Sequence, residues 1–286
     1  MEKLLPDRLK ALWQSVEHKE ITVETYTSEQ ERLLDEYRDI WKDALLRQGY
    51  GDLQESLLAE LGEYVECRDV AEIQRRCAMA VANLKQEWEA KVDPENRRSV
   101  EQFYDETQAM LYELMWWHTL SDDVSPLAYV TALQFAQQRG CRYYLDFGSG
   151  VGSSGILFAR HGLQVALADI SSPLLRFSEW RLGIRRLPAQ YLDLKAAGLP
   201  RQAFDLITAM DVFEHLVDPA GTIEQLAAAL KPGGFLVARI AAEIDEERPQ
   251  HIVRDFGPTF ERLQALGLVE VWRDEWLWGH QVFQRS

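Results

Sequence analysis

The sequence predicts an α/β protein in which a doubly wound, mainly parallel sheet follows an all-helical N-terminal region. Two observations lead to this class. After about residue 140, apolar runs of strand length alternate with helical patterns, as in proteins built from repeated βαβ units. Before residue 121, apolar residues recur at helical spacing and no stretch has the pattern of a strand.

Four or five helices are predicted for residues 1–120. Ser28 and Glu31 have the spacing of a capping box, which predicts that a helix begins there. Asp69 is suited to cap a second long helix. The sequence Asp-Pro-Glu-Asn at residues 93–96 interrupts the helical pattern, and a third amphipathic stretch covers residues 99–118.

A polar segment at residues 121–126 marks the predicted boundary between two domains. The helical domain then comprises residues 1–120, and the α/β domain comprises residues 121–286. Residues 127–138 are predicted to form the helix that precedes the first strand, and Gly140 is suited to end it.

The most informative segment joins the first predicted strand, residues 143–147, to a helix at residues 153–160. Asp146 and three alternate glycines lie at this junction, and the glycines are Gly148, Gly150 and Gly152. A strand, a tight turn and a helix N-terminus together hold nucleotide-like cofactors at the carboxyl end of a parallel sheet. Residues 150–155 also fit the dinucleotide fingerprint G-x-G-x-x-G, so the glycines alone leave the identity of the cofactor open.

Acidic residues also lie at the ends of the next two predicted strands. Residues 163–170 are predicted to form a buried second strand that reaches Asp169, whose carboxylate can accept hydrogen bonds from both hydroxyls of a ribose. Residues 189–194 form the third predicted strand, with Asp193 near its end. The fourth strand runs into the sequence Asp-Val-Phe-Glu-His at residues 211–215.

The order and spacing of these motifs resemble those of class I S-adenosylmethionine (SAM) methyltransferases, of the small-molecule type found in ubiquinone biosynthesis. The resemblance covers about residues 140–286 and includes the turn Pro-Gly-Gly at residues 232–234, before the fifth strand. It implies a Rossmann-like sheet of seven strands with the last strand antiparallel, and SAM as the cofactor. Residues 268–274 and 281–285 are suited to form the closing hairpin.

The resemblance also assigns roles to individual residues. It places the three glycines around the methionyl end of SAM, with Asp146 near its ammonium group. Asp169 would hold the ribose, and Asp193 with Leu194 would contact the adenine. The segment around Tyr104 resembles one that closes over the methionine end of SAM. The cofactor-binding residues implied in this way are Tyr104, Asp146, Gly148, Gly150, Gly152, Asp169, Ile170, Asp193, Leu194 and Asp211.

Two histidines are candidate catalytic residues, because a hydroxyl acceptor needs a general base with a pKa near neutrality. His215 follows the fourth strand, and the cleft of such sheets lies at the carboxyl ends of the strands. His251 lies in the polar loop after the fifth strand. The alternatives are a structural histidine that bonds a loop carbonyl for His215 and a solvated loop histidine for His251.

Composition limits the partners that the protein can have. The formal net charge of −15 argues against binding to nucleic acid or to an anionic membrane surface. No apolar run approaches the length of a membrane span, no signal-peptide core is found, and the three cysteines lack metal-binding spacing. We therefore expect a cytoplasmic protein without a metal site, and oligomerisation through the N-terminal helices is left open.

The sequence as a whole predicts an enzyme that transfers a methyl group from SAM to an oxygen, nitrogen or carbon nucleophile of a small molecule. Two alternatives remain open. The long helical region also suits a non-catalytic, SAM-binding partner subunit, and a protein side chain is a less favoured acceptor. No motif in the sequence identifies the acceptor.

Overall fold

Seven strands form one sheet in the computed structural model of the protein, which describes residues 3–243 and 245–286. The spatial order of the strands is β3-β2-β1-β4-β5-β7-β6. Strands β1 to β5 are parallel to one another, whereas β7 is antiparallel to both β5 and β6. The strands are β1 (Tyr143–Phe147), β2 (Gln164–Asp169), β3 (Ala189–Asp193), β4 (Phe204–Ala209), β5 (Leu230–Ala238), β6 (Leu268–Arg273) and β7 (Gln281–Arg285). This topology confirms the predicted doubly wound, seven-stranded sheet with an antiparallel last strand.

The strand order reverses between β1 and β4, so a crevice forms at the carboxyl ends of these two strands. The central strands are covered by helices on both faces, and Leu145, Leu206 and Ile207 have no exposed surface. Such fully buried strands need continuous apolar runs. The helices after residue 120 are α8 (Ala128–Gln138), α9 (Ser153–Arg160), α10 (Ser172–Ile184), α11 (Pro219–Ala229) and α12 (Gly257–Ala265).

The N-terminal region contains seven α-helices among the described residues, which exceeds the predicted four or five. They are α1 (Leu5–Glu17), α2 (Val23–Leu45), α3 (Leu53–Tyr64), α4 (Val70–Ala78), α5 (Ala80–Lys91), α6 (Arg97–Glu106) and α7 (Ala109–Trp117). Two predicted helices are each divided. Met79 separates α4 from α5, and Thr107, in an extended conformation, separates α6 from α7. Apolar spacing does not detect such one- or two-residue breaks.

One of the two predicted helix starts is wrong and the other is confirmed. Helix α2 begins at Val23 because Thr22 caps it, and the Thr22 hydroxyl accepts the Thr25 N–H at 3.2 Å. The predicted capping box at Ser28 therefore lies within the helix. The Asp69 carboxylate caps α4, since it accepts the N–H groups of residues 71 and 72 at 3.0 and 3.3 Å.

The apolar core continues across the predicted domain boundary near residue 120. Trp41 and Met115 from the helical region belong to the same cluster of buried residues as Phe158 and Phe177 from the α/β region. The C-terminal hairpin also contacts the first two helices, because the Trp272 indole donates to Asp7 at 3.0 Å. The division into domains 1–120 and 121–286 stays a prediction, and the helical region packs closely on the sheet. Among the described residues, no helix has the length and apolar character needed to span a bilayer.

Candidate cofactor and acceptor site

Four of the predicted site acids lie together at the carboxyl edge of the sheet. Asp146 is the penultimate residue of β1, and Asp169 and Asp193 are the last residues of β2 and β3. Asp169 and Asp193 lie opposite each other in the β2–β3 pairing. Asp211 follows the end of β4 by two residues. Parallel strands place their carboxyl ends at one edge, which is why residues distant in sequence meet here.

The turn between β1 and α9, residues 148–152, is referred to here as the glycine loop. Gly148, Gly150 and Gly152 have φ values of 73°, 52° and 72°, in the left-handed region that favours glycine. Added Cβ atoms would also collide with protein atoms. A Cβ on Gly150 would lie 2.8 Å from Cδ1 of Leu114 in α7, and one on Gly152 would lie 2.8 Å from the Ser178 hydroxyl. The glycines are therefore required by the packing of the helices behind the loop as well as by its backbone conformation.

Asp169 connects the second strand to the glycine loop. One carboxylate oxygen accepts the Gly150 N–H, and the other accepts the Ser171 N–H, both at 2.8 Å. Burial raises the pKa of Asp169, while these backbone hydrogen bonds oppose the rise. A carboxylate can accept about four hydrogen bonds, so lone pairs remain for further donors such as ribose hydroxyls.

Asp146 is an internal anchor of the site. Its Oδ1 accepts the Thr208 hydroxyl at 2.8 Å, and its Oδ2 accepts the Ser154 hydroxyl. Burial raises the pKa of Asp146 to about 7, although both hydroxyl donors lower it. The carboxyl group thus links β1 to β4 and α9, and its predicted contact with the ammonium group of SAM stays a prediction.

The predicted adenine-binding segment is held in a fixed conformation beside Asp169. The Asp193 carboxylate accepts the Ser172 hydroxyl at 2.7 Å and the Lys195 N–H at 2.9 Å. The Lys195 ammonium group donates to the carbonyl of Ile170 at 2.5 Å. The N–H of Leu194 donates to the carbonyl of the last residue of β2 at 3.0 Å.

Helix α6 of the helical region covers this edge of the sheet. The Asp105 carboxylate accepts the Ser172 N–H at 3.0 Å and also pairs with the Lys195 ammonium group. The neighbouring Tyr104 directs its hydroxyl to within 3.1 Å of Nδ1 of His215. Tyr104 and Asp105 therefore contact both the histidine pair and the Asp193 segment, and the predicted contact of Tyr104 with the methionine end of SAM stays a prediction.

His215 ends a single 3₁₀ turn, Phe213–His215, that follows β4. Its Nδ1 also lies 3.1 Å from the carbonyl oxygen of Gln250. Because a carbonyl oxygen can only accept, Nδ1 carries the hydrogen in this arrangement and Nε2 carries the lone pair. Burial lowers the pKa of His215 to about 3, with further lowering by His251. The imidazole is therefore neutral at physiological pH.

His251 lies next to His215, with 4.8 Å between the ring centroids. Two hydrogen bonds bring it there, because the backbone N–H groups of Ile252 and Val253 both donate to the carbonyl of Glu214, at 2.8 and 3.2 Å. His251 is 4% exposed, and its buried Nδ1 has no hydrogen-bond partner among the described residues. Burial lowers its pKa, opposed by Glu243. The alternative of a solvated loop histidine does not fit this burial.

Glu214 completes the cluster around the two histidines. It is 3% exposed, and burial raises its pKa to about 8 with a contribution from Asp211. One ligand atom from each of Glu214, His215 and His251 lies within 4.8 Å of the others. Imidazole and carboxylate groups at this spacing can hold a divalent cation. The sequence predicted no metal site, because His251 joins the other two residues only through the loop after β5.

Asp211 has φ of 49°, a left-handed conformation that is uncommon for a residue other than glycine. Its carboxylate lies 3.4 Å from Nη1 of Arg239, which extends from the end of β5. Asp211 therefore occupies the turn between the glycine loop and the histidine pair. Its predicted contact with the cofactor stays a prediction.

Comparison with known proteins identifies the family. The methyltransferase-domain family matches residues 116–277, more than half of the chain. The chain belongs to the class I SAM-dependent methyltransferases. Its matches include the ubiquinone biosynthesis O-methyltransferase of Coxiella burnetii, with 30% identity over 128 residues that cover 42% of this chain and 54% of the relative. The same enzyme of Albidiferax ferrireducens is 34% identical over 96 residues, 32% of this chain and 38% of the relative.

This methyltransferase therefore covers about half the length, or less, of these relatives. Solved structures with a similar fold include phosphoethanolamine N-methyltransferase 2 of Haemonchus contortus in complex with phosphomonomethylethanolamine and S-adenosylhomocysteine. The TM-score is 0.49 at 20% identity, with 59% of this chain and 44% of that chain covered.

SAM is the cofactor of this methyltransferase, and the residues at the carboxyl edge of the sheet fit it. The left-handed glycine loop lies beside Asp169, and this carboxylate keeps lone pairs for ribose hydroxyls. Asp193 lies one strand further along, where the adenine would follow the ribose. The individual contacts of these residues with SAM stay predictions.

Sequence reasoning missed several polar residues that hold this site together. Ser178 and Arg181 on α10 support the glycine loop from behind, and Lys195 and Asp105 join α6 to the adenine segment. Two of them had a sequence signal, since Lys195 lies just after Asp193 and Asp105 follows Tyr104 in the segment that resembles a cover over SAM. Arg181 lies within a helical pattern and resembles an ordinary surface charge.

Proposed function

We propose that the protein transfers the methyl group of SAM to an oxygen, nitrogen or carbon nucleophile of a small molecule, which binds beside His215. One observation carries the proposal. The crevice that bears the cofactor motif also holds the partly buried His215 and the buried His251, and Nδ1 of His251 has no hydrogen-bond partner among the described residues. Buried polar atoms without partners are rare and therefore need an explanation, and a bound acceptor would provide one.

Methyl transfer from a sulfonium is an in-line displacement. The nucleophile forms a bond to the methyl carbon while the carbon–sulfur bond breaks. The electron pair of the carbon–sulfur bond goes to the sulfur and neutralises its positive charge. Most of the catalysis comes from positioning, which can lower the barrier by about 7–11 kcal/mol. The glycine loop and its supporting carboxylates would fix the donor, and α6 would exclude water from the crevice.

His215 would accept the proton of a hydroxyl or amine acceptor. Its Nδ1 is held by the Gln250 carbonyl, so the lone pair on Nε2 has a fixed direction. The Tyr104 hydroxyl, 3.1 Å from the same Nδ1, would stabilise the imidazolium that forms. A positioned base contributes about 10²–10⁴-fold in rate, and because burial lowers the pKa of His215 to about 3, we expect the lower end of this range. The matched relatives are named O-methyltransferases, which favours an oxygen nucleophile.

Two measurements on the purified chain test the proposal. Calorimetry with SAM should give a one-to-one complex, and incubation with sets of small phenols, alcohols and amines should release S-adenosylhomocysteine. Absence of SAM binding would contradict the proposed function. Binding without turnover on any acceptor would favour the partner-subunit alternative, and turnover only with a protein fraction would favour side-chain methylation.

A chelator provides one further comparison in the turnover assay. If His215 acts as a base without a metal, treatment with EDTA should leave the rate unchanged. A loss of rate that added Zn²⁺ or Mg²⁺ restores would instead assign Glu214, His215 and His251 to a cation. The same residues would then orient and activate the acceptor through the cation.

A further inference from the structure

A buried arginine connects the helical region to the glycine loop. Arg181 lies on α10, and its side chain is completely buried. Its Nε donates to Oε2 of Glu60 on α3 at 2.8 Å. Its Nη1 donates to the carbonyl oxygen of Val151 in the glycine loop at 2.7 Å. One guanidinium group therefore bridges a carboxylate of the helical region and the backbone of the cofactor loop.

The same guanidinium also reaches the first residue of α9. Nη1 of Arg181 donates to the Ser153 hydroxyl at 2.8 Å, and this hydroxyl lies 3.0 Å from Nδ1 of His118. His118 follows α7, and burial lowers its pKa to about 3, so its neutral ring can accept the Ser153 hydrogen. The helical region thus supports the glycine loop at Val151 through Glu60 and Arg181, and it contacts Ser153, the first residue of α9, through His118.

A neighbouring residue of α10 holds the loop at a third point. The Ser178 hydroxyl donates to the carbonyl oxygen of Gly150 at 2.9 Å. Successive carbonyl groups of the loop, those of Gly150 and Val151, are therefore both drawn toward α10. Because each peptide unit is planar, fixing these carbonyls also fixes the directions of the adjoining N–H groups. Those N–H groups belong to the segment that would receive the cofactor.

The energetics of the pair indicate a role beyond folding stability. Glu60 has no exposed surface, and although burial opposes its ionisation, Arg181 and Arg185 together lower its pKa. Nη2 of Arg181 has no hydrogen-bond partner among the described residues. Burying two charges is costly, and well-packed apolar side chains in such places are often as stable or more stable. An apolar pair, however, could not hold the Val151 carbonyl.

We propose that Arg181 and Glu60 are positioning residues that hold the glycine loop in its cofactor-binding conformation and make that conformation depend on the docked helical region. Glu60 orients the guanidinium, and the guanidinium fixes the loop backbone. The helical region then contributes to SAM affinity from behind the loop, in addition to covering the crevice with α6. This inference rests on the proposed function, because it concerns the binding of the methyl donor.

Arg185 provides a matched control for a test of this role. It lies on the same helix end, is 3% exposed, and pairs with the other oxygen of Glu60. Its other contacts are the carbonyl of Leu45 in α2 at 2.6 Å and the backbone carbonyl of Arg181 at 3.2 Å, and neither lies in the glycine loop. Arg181→Lys and Arg185→Lys therefore weaken the same buried ion cluster, but only the first removes a support of the loop.

Calorimetry with SAM and urea unfolding should be measured on the full chain with each variant. We expect Arg181→Lys to raise the dissociation constant for SAM about tenfold, the effect of losing a hydrogen bond from a charged donor. Arg185→Lys should change the dissociation constant for SAM by less than about twofold. Both variants should lose a similar amount of unfolding free energy. At saturating SAM, kcat of Arg181→Lys should stay near the wild-type value, because the lost interaction acts on binding. The proposal would be overturned if both variants weakened SAM binding equally, or if Arg181→Lys did not weaken SAM binding.

A second variant and a second measurement cover the case in which Arg181→Lys does not fold. Glu60→Gln keeps the size of the side chain and one acceptor oxygen. Like Arg181→Lys, it should weaken SAM binding. Hydrogen exchange of the Gly152 amide, which donates to the Ser149 carbonyl at 2.9 Å, reports on the loop without any cofactor. It should be faster in Glu60→Gln than in Arg185→Lys. Wild-type exchange in Glu60→Gln would contradict the inference, whereas failure of the wild-type chain to bind SAM would contradict only the proposed function.

Discussion

The two halves of the site differ in how completely their polar groups are paired. In the cofactor half, the carboxylates of Asp146, Asp169 and Asp193 each accept hydrogen bonds on both oxygens. In the acceptor half, Nδ1 of His251 and Oε1 of Gln250 are buried without partners among the described residues. The strand-end carboxylates of the first half are therefore held in place before any ligand binds, although the Ser149 hydroxyl of the glycine loop has no hydrogen-bond partner among the described residues. The second half leaves hydrogen-bonding capacity that an acceptor would satisfy, and three predictions probe this contrast.

Replacement of His215 is expected to have the largest effect. His215→Ala should lower kcat by about 10²-fold, because a positioned base of low pKa is lost, while the dissociation constant for SAM stays within about twofold of wild type. Tyr104→Phe, which removes only the hydroxyl beside Nδ1, should lower kcat by less than about tenfold. Steady-state kinetics and calorimetry give the two quantities separately.

The assignment of His215 to the acceptor half would be contradicted if His215→Ala weakened SAM binding as strongly as it lowered kcat. That outcome would assign His215 to the cofactor half, as a residue that lines the donor. His18→Ala is a suitable control, because His18 is exposed and lies just after α1. It should leave both quantities unchanged.

Replacement of Asp169 should mainly affect the cofactor half. Asp169→Ala removes the partner of the Gly150 N–H and the predicted ribose contact, so SAM binding should weaken by about 1.5–3 kcal/mol or more, roughly 10–100-fold. Asp169→Glu should also weaken binding, since the longer side chain displaces the carboxylate. Calorimetry on both variants measures the effect.

Asp205 gives a matched control at the opposite edge of the sheet. Its Oδ2 accepts the N–H groups of Arg142 and Tyr143, both at 2.9 Å, much as Asp169 accepts two backbone N–H groups. Asp205→Ala should therefore lower stability but leave SAM affinity within about twofold of wild type. Equal weakening by Asp169→Ala and Asp205→Ala would show that general destabilisation explains the loss.

The smallest expected effect concerns the protonation of Asp146. Burial raises its pKa to about 7, so part of the population is protonated near neutral pH. If the ammonium group of SAM binds nearby, it favours the charged carboxylate and lowers this pKa, and less than one proton should be released per SAM bound at pH 6–7. Calorimetry in buffers of different ionisation enthalpy detects this release, and Asp146→Asn should abolish it.

The pH dependence of the stability of the ligand-free protein gives a separate test of the direction in which the pKa of Asp146 is shifted. The folded pKa of Asp146 is raised above the unfolded value, so the folded state binds more protons between pH 4 and pH 7. The contribution of Asp146 to stability is therefore present at low pH and declines as pH rises through this window. The decline is at most about 1.4 kcal/mol for each pH unit. Asp146→Asn should flatten this part of the profile, and an unchanged profile would mean that the carboxyl stays ionised.

Much of the fold could be predicted because its signals are local in sequence. The strand that ends near Asp146, the alternate glycines and the strands that end at Asp169 and Asp193 are each contained within about ten residues. Helix boundaries were less predictable. The breaks at Met79 and Thr107 leave the apolar spacing on both sides intact. Thr22 caps helix α2 nearly two turns before Ser28, the predicted cap.

The sequence by itself determined the sheet, the family and the methyl donor, because glycine conformation and strand-end carboxylates follow from a few neighbouring residues. Only the tertiary structure decided which groups surround them. It placed Tyr104 beside His215, brought His251 next to His215, and buried Arg181 between Glu60 and the glycine loop. These contacts join residues more than 25 positions apart, and each depends on how the helices dock on the sheet. Local sequence patterns carry no information about such docking.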